Sequence, residues 1–315
     1  MGTKDSKRMR ISRRLIFCIV YSVHRFFVSL PLSVSLALGR CFGYGIYIAF
    51  PKRRKIVLEN IQTLKAWAQT EGLSNAYLKR GDADLAKSIF IQNAENFIFS
   101  LVLMSKPKAM IRKHLHLKNS EVLEKVVQEN KSLVILFAHY GPWENLSLLP
   151  QLLGDHLSGE KRIGAIYRPL VNPLIDRWFR RLRESNGCQL FSREDGFIAI
   201  TRFLKMSGVL LVAMDMRLTQ GERVPLFNKL ASSTTIPLKL IKMTGAVPVF
   251  SLFRKVGRKE WEIDFREFPD FNIDTENSDT EEKQAEFLRC MNTFLEQMIA
   301  NDPTNYFFFQ DRYKQ

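Results

Sequence analysis

A chain of 315 residues that is 46% hydrophobic and 25% charged has the composition of a folded globular protein with ample core, which excludes a disordered or low-complexity polymer. Its formal net charge of +15 and pI near 9.7 point to an anionic partner: nucleic acid, a membrane surface or an acidic cofactor. The four cysteines (Cys18, Cys41, Cys188, Cys290) form no CxxC pair, so they read as reduced structural residues of a cytosolic domain, not as a zinc site or disulfide frame.

The charge is concentrated at the start of the chain. Residues 1–60 hold twelve Lys and Arg against Asp5 and Glu59, hence +10 of the +15. Those cations bracket the most apolar stretch, Leu15 to Phe50. A nucleic-acid domain spreads its basic residues over a folded face, whereas a membrane anchor brackets apolar residues with them. The geometry favours membrane lipids and argues against nucleic acid. The run is too long for one signal-peptide core, and no A-x-A site follows it. His24, Arg25 and Arg40 interrupt it, which suits interfacial helices with snorkelling cations better than one clean span. Basic flanks on both sides leave orientation open, and the plainer alternative is a buried helix pair.

Residues 51–130 read mainly helical, as in KRRKIVLENIQTLKAWAQ and DADLAKSIFIQNAENFIFSLVLM. Beyond residue 130 the pattern changes. The segments 133–139, 162–168, 209–215, 247–254, 261–268 and 306–310 read as strands, several of them continuous apolar runs of the kind buried on both faces. Between them lie helices: Asn172-Pro173 starts one that stops at Asn186-Gly187, and others cover about 194–206, 235–244 and 281–300. Alternating strands and helices predict an α/β fold with a mostly parallel central sheet flanked by helices.

Three strand ends carry candidate chemistry, because ligands of α/β sheets bind at the carboxyl ends of strands. LVILFA runs into His139-Tyr140-Gly141-Pro142-Trp143-Glu144, where Gly141 permits a sharp turn and Pro142 a helix start. Glu144 would then lie one turn from His139 and hold its ring, making His139 a general base for an alcohol. A structural His at a strand end is the competing reading. Arg168 ends the second strand, suited to a phosphate or oxyanion. It lies in a stretch, 161–183, with seven Lys and Arg against Asp176, although Arg177, Arg180, Arg181 and Arg183 read equally well as a solvated helix face. Asp215 ends VLLVAMD, with a turn or cap residue as its alternative. No GxSxG elbow, P-loop, HExxH or GxGxxG is present, so serine hydrolase, NTPase, zincin and Rossmann readings lose support.

Taken together, KRRKIVLENI (52–61), AHYGPWEN (138–145), IYRPLVNPLIDRWFRRLRESNG (166–187), DMRLTQGERVPLF (215–227) and ASSTTIPLKLIKMTGAVPV (231–249) resemble, in order and spacing, the bacterial lipid A late acyltransferases. The resemblance covers nearly the whole chain. It implies a glycerolipid-acyltransferase-like domain over 51–315 behind a membrane-associated helical segment over 1–50. It implies transfer of a fatty acyl chain from an acyl carrier protein thioester to a hydroxyl of a lipid A precursor, with no metal or other cofactor, at the cytoplasmic face of the inner membrane. On this reading His139 is similar to the family's base and Glu144 to its partner carboxylate. Arg168, Asp215 and Arg312 match its substrate-binding or oxyanion positions. Asn228 stands where a Gly is usual, and Gln310-Asp311 replace a His and a cation near the C-terminus, while Arg312 and Lys314 are kept. These departures bear on the acceptor headgroup. The competing readings are another glycolipid or lysophospholipid acceptor, a hydrolase using the same pair, and a basic membrane-surface binding protein without chemistry.

Overall fold

The computed structural model describes residues 2–153, 162–192, 195–216, 221–269 and 281–313, with side chains from residue 11 onward. Arg217, Lys314 and the basic side chains before Ile11 lie outside the described residues. The N-terminal half is helical: α1 (Gly2–Ser29), α2 (Leu32–Ala49), α3 (Pro51–Thr70), α4 (Asp82–Leu103) and α5 (Lys108–His114). Pro31 separates the first two and Pro51 opens the third, as residues that cannot donate an N–H to a continuing helix. Then follow β1 (Leu115–Lys118), α6 (Glu121–Gln128), β2 (Leu133–Phe137), a 3-10 turn over Trp143–Leu148, α7 (Leu149–Leu153), β3 (Ile163–Ile166), α8 (Pro173–Glu184), β4 (Cys188–Phe191), α9 (Gly196–Lys205) and β5 (Val209–Ala213). The hairpin β6 (Glu222–Leu226) and β7 (Lys229–Ser233), α10 (Ile236–Thr244), β8 (Val247–Gly257), β9 (Glu260–Glu267) and α11 (Glu281–Asn301) complete the chain.

Seven strands form one sheet in the order β1-β9-β8-β2-β5-β3-β4. β2 pairs in parallel with β5 and β8, and β3 with β5 and β4, while β8–β9 is antiparallel. The predicted α/β fold with a mostly parallel sheet is therefore the fold observed. Leu133 to Leu136 are fully buried, as the continuous apolar run of a central strand requires. Four short strands, β1, β4 and the β6–β7 pair, have no counterpart in the sequence reading. The predicted strand over 306–310 does not form: one isolated bridge, Tyr140 to Tyr306, is what the segment contributes.

α2 is long and apolar enough to cross a membrane by length and composition, with a mean hydropathy of 1.3. It is also seated on α4. A Cβ at Gly43 would lie 2.7 Å from Ile91 Cα and from the Phe90 carbonyl oxygen, so only glycine lets the two backbones approach this closely. Phe42, Tyr44 and Ile48 on its other sides, and Phe50 just beyond its end, are exposed.

Candidate active site

Strand register builds the centre of the site. β2 and β5 are neighbours, with Phe137 opposite Ala213. His139 and Asp215 each lie two residues beyond those paired ends, so the parallel alignment brings them together at the carboxyl edge. His139 Nδ1 is 2.7 Å from Asp215 Oδ1, and the His139 backbone N–H donates to Asp215 Oδ2 at 2.9 Å. An ionised carboxylate only accepts, so Nδ1 carries the proton and Nε2 keeps its lone pair. No partner binds Nε2 among the described residues, and the His139 side chain keeps 20% of its surface exposed against 2% for Asp215. Trp143 and Phe307 flank the ring at 5.2 and 6.2 Å between centroids.

The electrostatics follow from this geometry. Burial pushes the His139 imidazole toward its neutral form, but the charge and hydrogen bond of Asp215 outweigh that and raise its pKa above the ordinary 6.5. Burial pushes the Asp215 carboxyl up, and the charge and hydrogen bond of His139, with Arg312 behind, bring it below the usual carboxylate range.

Glu144 occupies a different place from the one expected. Gly141, at φ +62°, makes the sharp turn that the sequence indicated, and its missing Cβ would lie 2.7 Å from Phe253 Cβ. The chain then enters the 3-10 turn, and Glu144 reaches Arg183 on α8 through contacts of 2.7, 2.9 and 3.0 Å. The carboxylate bonded to the imidazole is thus Asp215, and Glu144 is clamped in a forked pair with Arg183, close enough for its charge to raise the His139 pKa. The reason is directional: a 3-10 turn does not carry the fifth residue back over the strand end as an α-helical turn would. Arg183 had offered no signal beyond membership of a basic helix.

The family model for bacterial lipid A biosynthesis acyltransferases matches residues 3–315. The chain belongs to that family. No curated protein matches it. As a member of the lipid A biosynthesis acyltransferases it carries out acyl transfer in lipid A biosynthesis.

In this lipid A acyltransferase Arg168 lies two residues past β3, at the same edge as His139, and is exposed with no partner among the described residues. Arg312 is placed otherwise than a headgroup contact would be. It is 3% exposed, donates to the Ser232 carbonyl at 2.8 Å, and its charge acts on Asp215 from inside the fold. The segment after α11 straps the turn at His139–Gly141 in place. Phe307 N–H donates to the His139 carbonyl and Gly141 N–H to the Asn305 carbonyl, both at 2.9 Å. Asn93 Nδ2 holds the Thr304 and Tyr306 carbonyls at 3.1 Å, and Asn96 Nδ2 holds Asn305 Oδ1 at 3.0 Å. These asparagines read from the sequence as ordinary helix residues. A cavity of about 440 Å³ opens beside Tyr140, Phe253 and Asn305 and does not include His139. Two of its cations, Lys255 and Arg254, are matched by Glu95 and Asp264. No cluster of three or more metal-ligating side chains occurs among the described residues.

Proposed function

We propose that the chain transfers a fatty acyl group from an acyl carrier protein thioester to a hydroxyl of a lipid A precursor, at the cytoplasmic face of the inner membrane, with His139 as general base and Asp215 as the carboxylate that holds it. The observation that carries this reading is the 2.7 Å Nδ1–Asp215 bond, which leaves Nε2 unpartnered among the described residues at the exposed side of the ring. An acceptor hydroxyl is too weak an acid to lose its proton unaided near neutral pH. Nε2 takes that proton as the oxygen attacks the thioester carbonyl carbon. Asp215 stabilises the imidazolium that forms. Collapse of the tetrahedral adduct breaks the carbon–sulfur bond, and the imidazolium returns the proton to the leaving thiolate. The thioester is already activated, so on this reading neither a covalent acyl-enzyme nor a resident cofactor is needed. Exposed Arg168 meets a phosphate of the acceptor at the same edge.

The test is transfer of radiolabelled acyl chain from carrier protein to tetra- and penta-acylated lipid A precursors, with the coenzyme A thioester run in parallel. Labelled lipid A made faster from the carrier-protein donor supports the reading. Release of free fatty acid alone makes the protein a thioesterase, and label retained on the denatured protein reveals a nucleophile that direct transfer lacks.

A further inference from the structure

β3 and β4 lie side by side, with Ile166 opposite Phe191, so the segments after them leave the sheet at the same edge as His139. Both present apolar side chains to water. Val171 is 94% exposed and Ile198 77%, with Leu170 and Phe197 also exposed. Leu170 and Val171 lie in the β3–α8 connection and Phe197 and Ile198 in the first turn of α9, so the exposed apolar side chains form two pairs following neighbouring strands, and their exposure gains nothing from burial. Both segments are held: Asp176 Oδ1 accepts from Leu170 N–H at 2.8 Å, and Asp195 Oδ2, just before α9, accepts from Ser192 N–H at 2.6 Å.

Two further observations say what covers them. The first is continuity with α1. Asn172 Nδ2 donates to the Arg13 carbonyl at 3.0 Å, and Trp178 of α8 packs edge-on against Tyr21 and His24. α1 exposes Ile11, Leu15 and Ile19, one above another at four-residue spacing. The second is charge. Arg168 lies in the β3–α8 connection and Arg177 and Arg181 on the α8 helix that follows it; all three are exposed and have no carboxylate partner among the described residues, whereas Arg180 is paired with Glu184. Exposed apolar side chains with unpaired arginines on the same segment, joined to a helix with an apolar face, match a surface of anionic headgroups over acyl chains.

We propose that residues 168–172 and 196–198 form a second lipid-contacting surface, in which Leu170, Val171, Phe197 and Ile198 enter an anionic bilayer while Arg168, Arg177 and Arg181 meet lipid phosphates. The inference rests on the membrane reading of the N-terminal segment and extends it to the catalytic domain. It gives the site an orientation: the β3–β4 end of the carboxyl edge faces the bilayer, so a lipid acceptor enters the site from the membrane. An acidic carrier protein would also meet the arginines, but Leu170, Val171, Phe197 and Ile198 carry no charge for it to bind.

The experiment uses the full-length chain in a Cys18→Ser/Cys41→Ser background, with an environment-sensitive fluorophore placed in turn at Val171→Cys, Ile19→Cys and Lys131→Cys. Lys131 precedes β2 at the opposite edge of the sheet. Vesicles of phosphatidylethanolamine and phosphatidylglycerol, with and without a spin-labelled lipid, are the probe. The expected result is a blue shift and quenching at positions 171 and 19 but not at 131. Quenching at 19 with position 171 remaining in water overturns the proposal and leaves the membrane reading standing. No quenching at either position overturns both. A shift at 171 that requires acyl carrier protein assigns the surface to the donor and also overturns the proposal. As a second readout, Val171→Ser/Ile198→Ser raises the KM for acceptor embedded in vesicles about tenfold and leaves the rate on acceptor in detergent micelles unchanged. Equal effects on both substrate forms contradict a lipid contact.

Discussion

After β2 and β5 the polar residues of the sheet edge turn inward. His139 and Asp215 are joined by two hydrogen bonds, backed by buried Arg312 and strapped by the 305–307 segment. After β3 and β4 the same edge turns outward, with Arg168 exposed and Val171 almost wholly in water. One half has its partners inside the fold, whereas Arg168 has none among the described residues. A strand-end position alone does not define a role. The same offset of two residues past a strand places a buried carboxylate after β5 and an open cation after β3.

The closed half holds the largest expected effect. His139→Ala removes the base and lowers acyl transfer on the order of a thousandfold or more, while circular dichroism and vesicle binding stay as in the wild type. Residual transfer near the normal rate would break the assignment of chemistry to this half. The join between the halves is Glu144–Arg183, whose side chains are only 15% and 18% exposed. Glu144→Gln leaves a partly buried guanidinium without its counter-charge and costs about 1–3 kcal/mol of stability, read as a Tm lower by a few degrees. An unchanged Tm would show that the clamp contributes nothing to holding α8 against the turn that follows His139. The open half is expected to give the smallest effects. Arg168→Ala lowers kcat/KM for a phosphorylated acceptor about tenfold, whereas Arg180→Ala, which loses an exposed pair with Glu184, changes it by less than about twofold. Equal, mild losses would make Arg168 part of a diffuse basic surface.

Much of this was legible in the sequence because the relevant signals are local. Continuous apolar runs marked β2, β5 and β8, and the Asn172 cap predicted from Asn-Pro accepts from Leu174 N–H at 3.0 Å. His139, Arg168 and Asp215 were all found at strand ends. What stayed hidden depends on contacts far apart in the chain. The His139–Asp215 bond spans 76 residues and follows from β2 lying next to β5, a neighbour relation that periodicity does not encode. Once that order is known, aligning LVILFAH with VLLVAMD places the two residues opposite each other. Glu144 was paired with His139 by sequence nearness, and the 3-10 turn sent it to α8 instead. The 306–310 run looked like a strand because it is aromatic and apolar, yet its carbonyls are claimed by asparagines of α3 and α4 rather than by a ladder. Arg312, matched to a substrate-binding position, is buried, donating to the Ser232 carbonyl with its charge acting on Asp215.

The central claim is that Asp215, not Glu144, holds and tunes His139. The most direct test is the pH dependence of acyl transfer in the wild type, Asp215→Asn and Glu144→Gln. A general base works only when neutral, so activity falls as pH drops through the folded pKa of His139, which Asp215 raises above 6.5. Asp215→Asn removes the larger charge partner. The account predicts that its acidic limb moves to lower pH, with a plateau reduced on the order of a hundredfold or more, and that Glu144→Gln moves the limb by clearly less. An acidic limb that stays in place in Asp215→Asn and moves in Glu144→Gln would assign the imidazole to Glu144 and contradict the account.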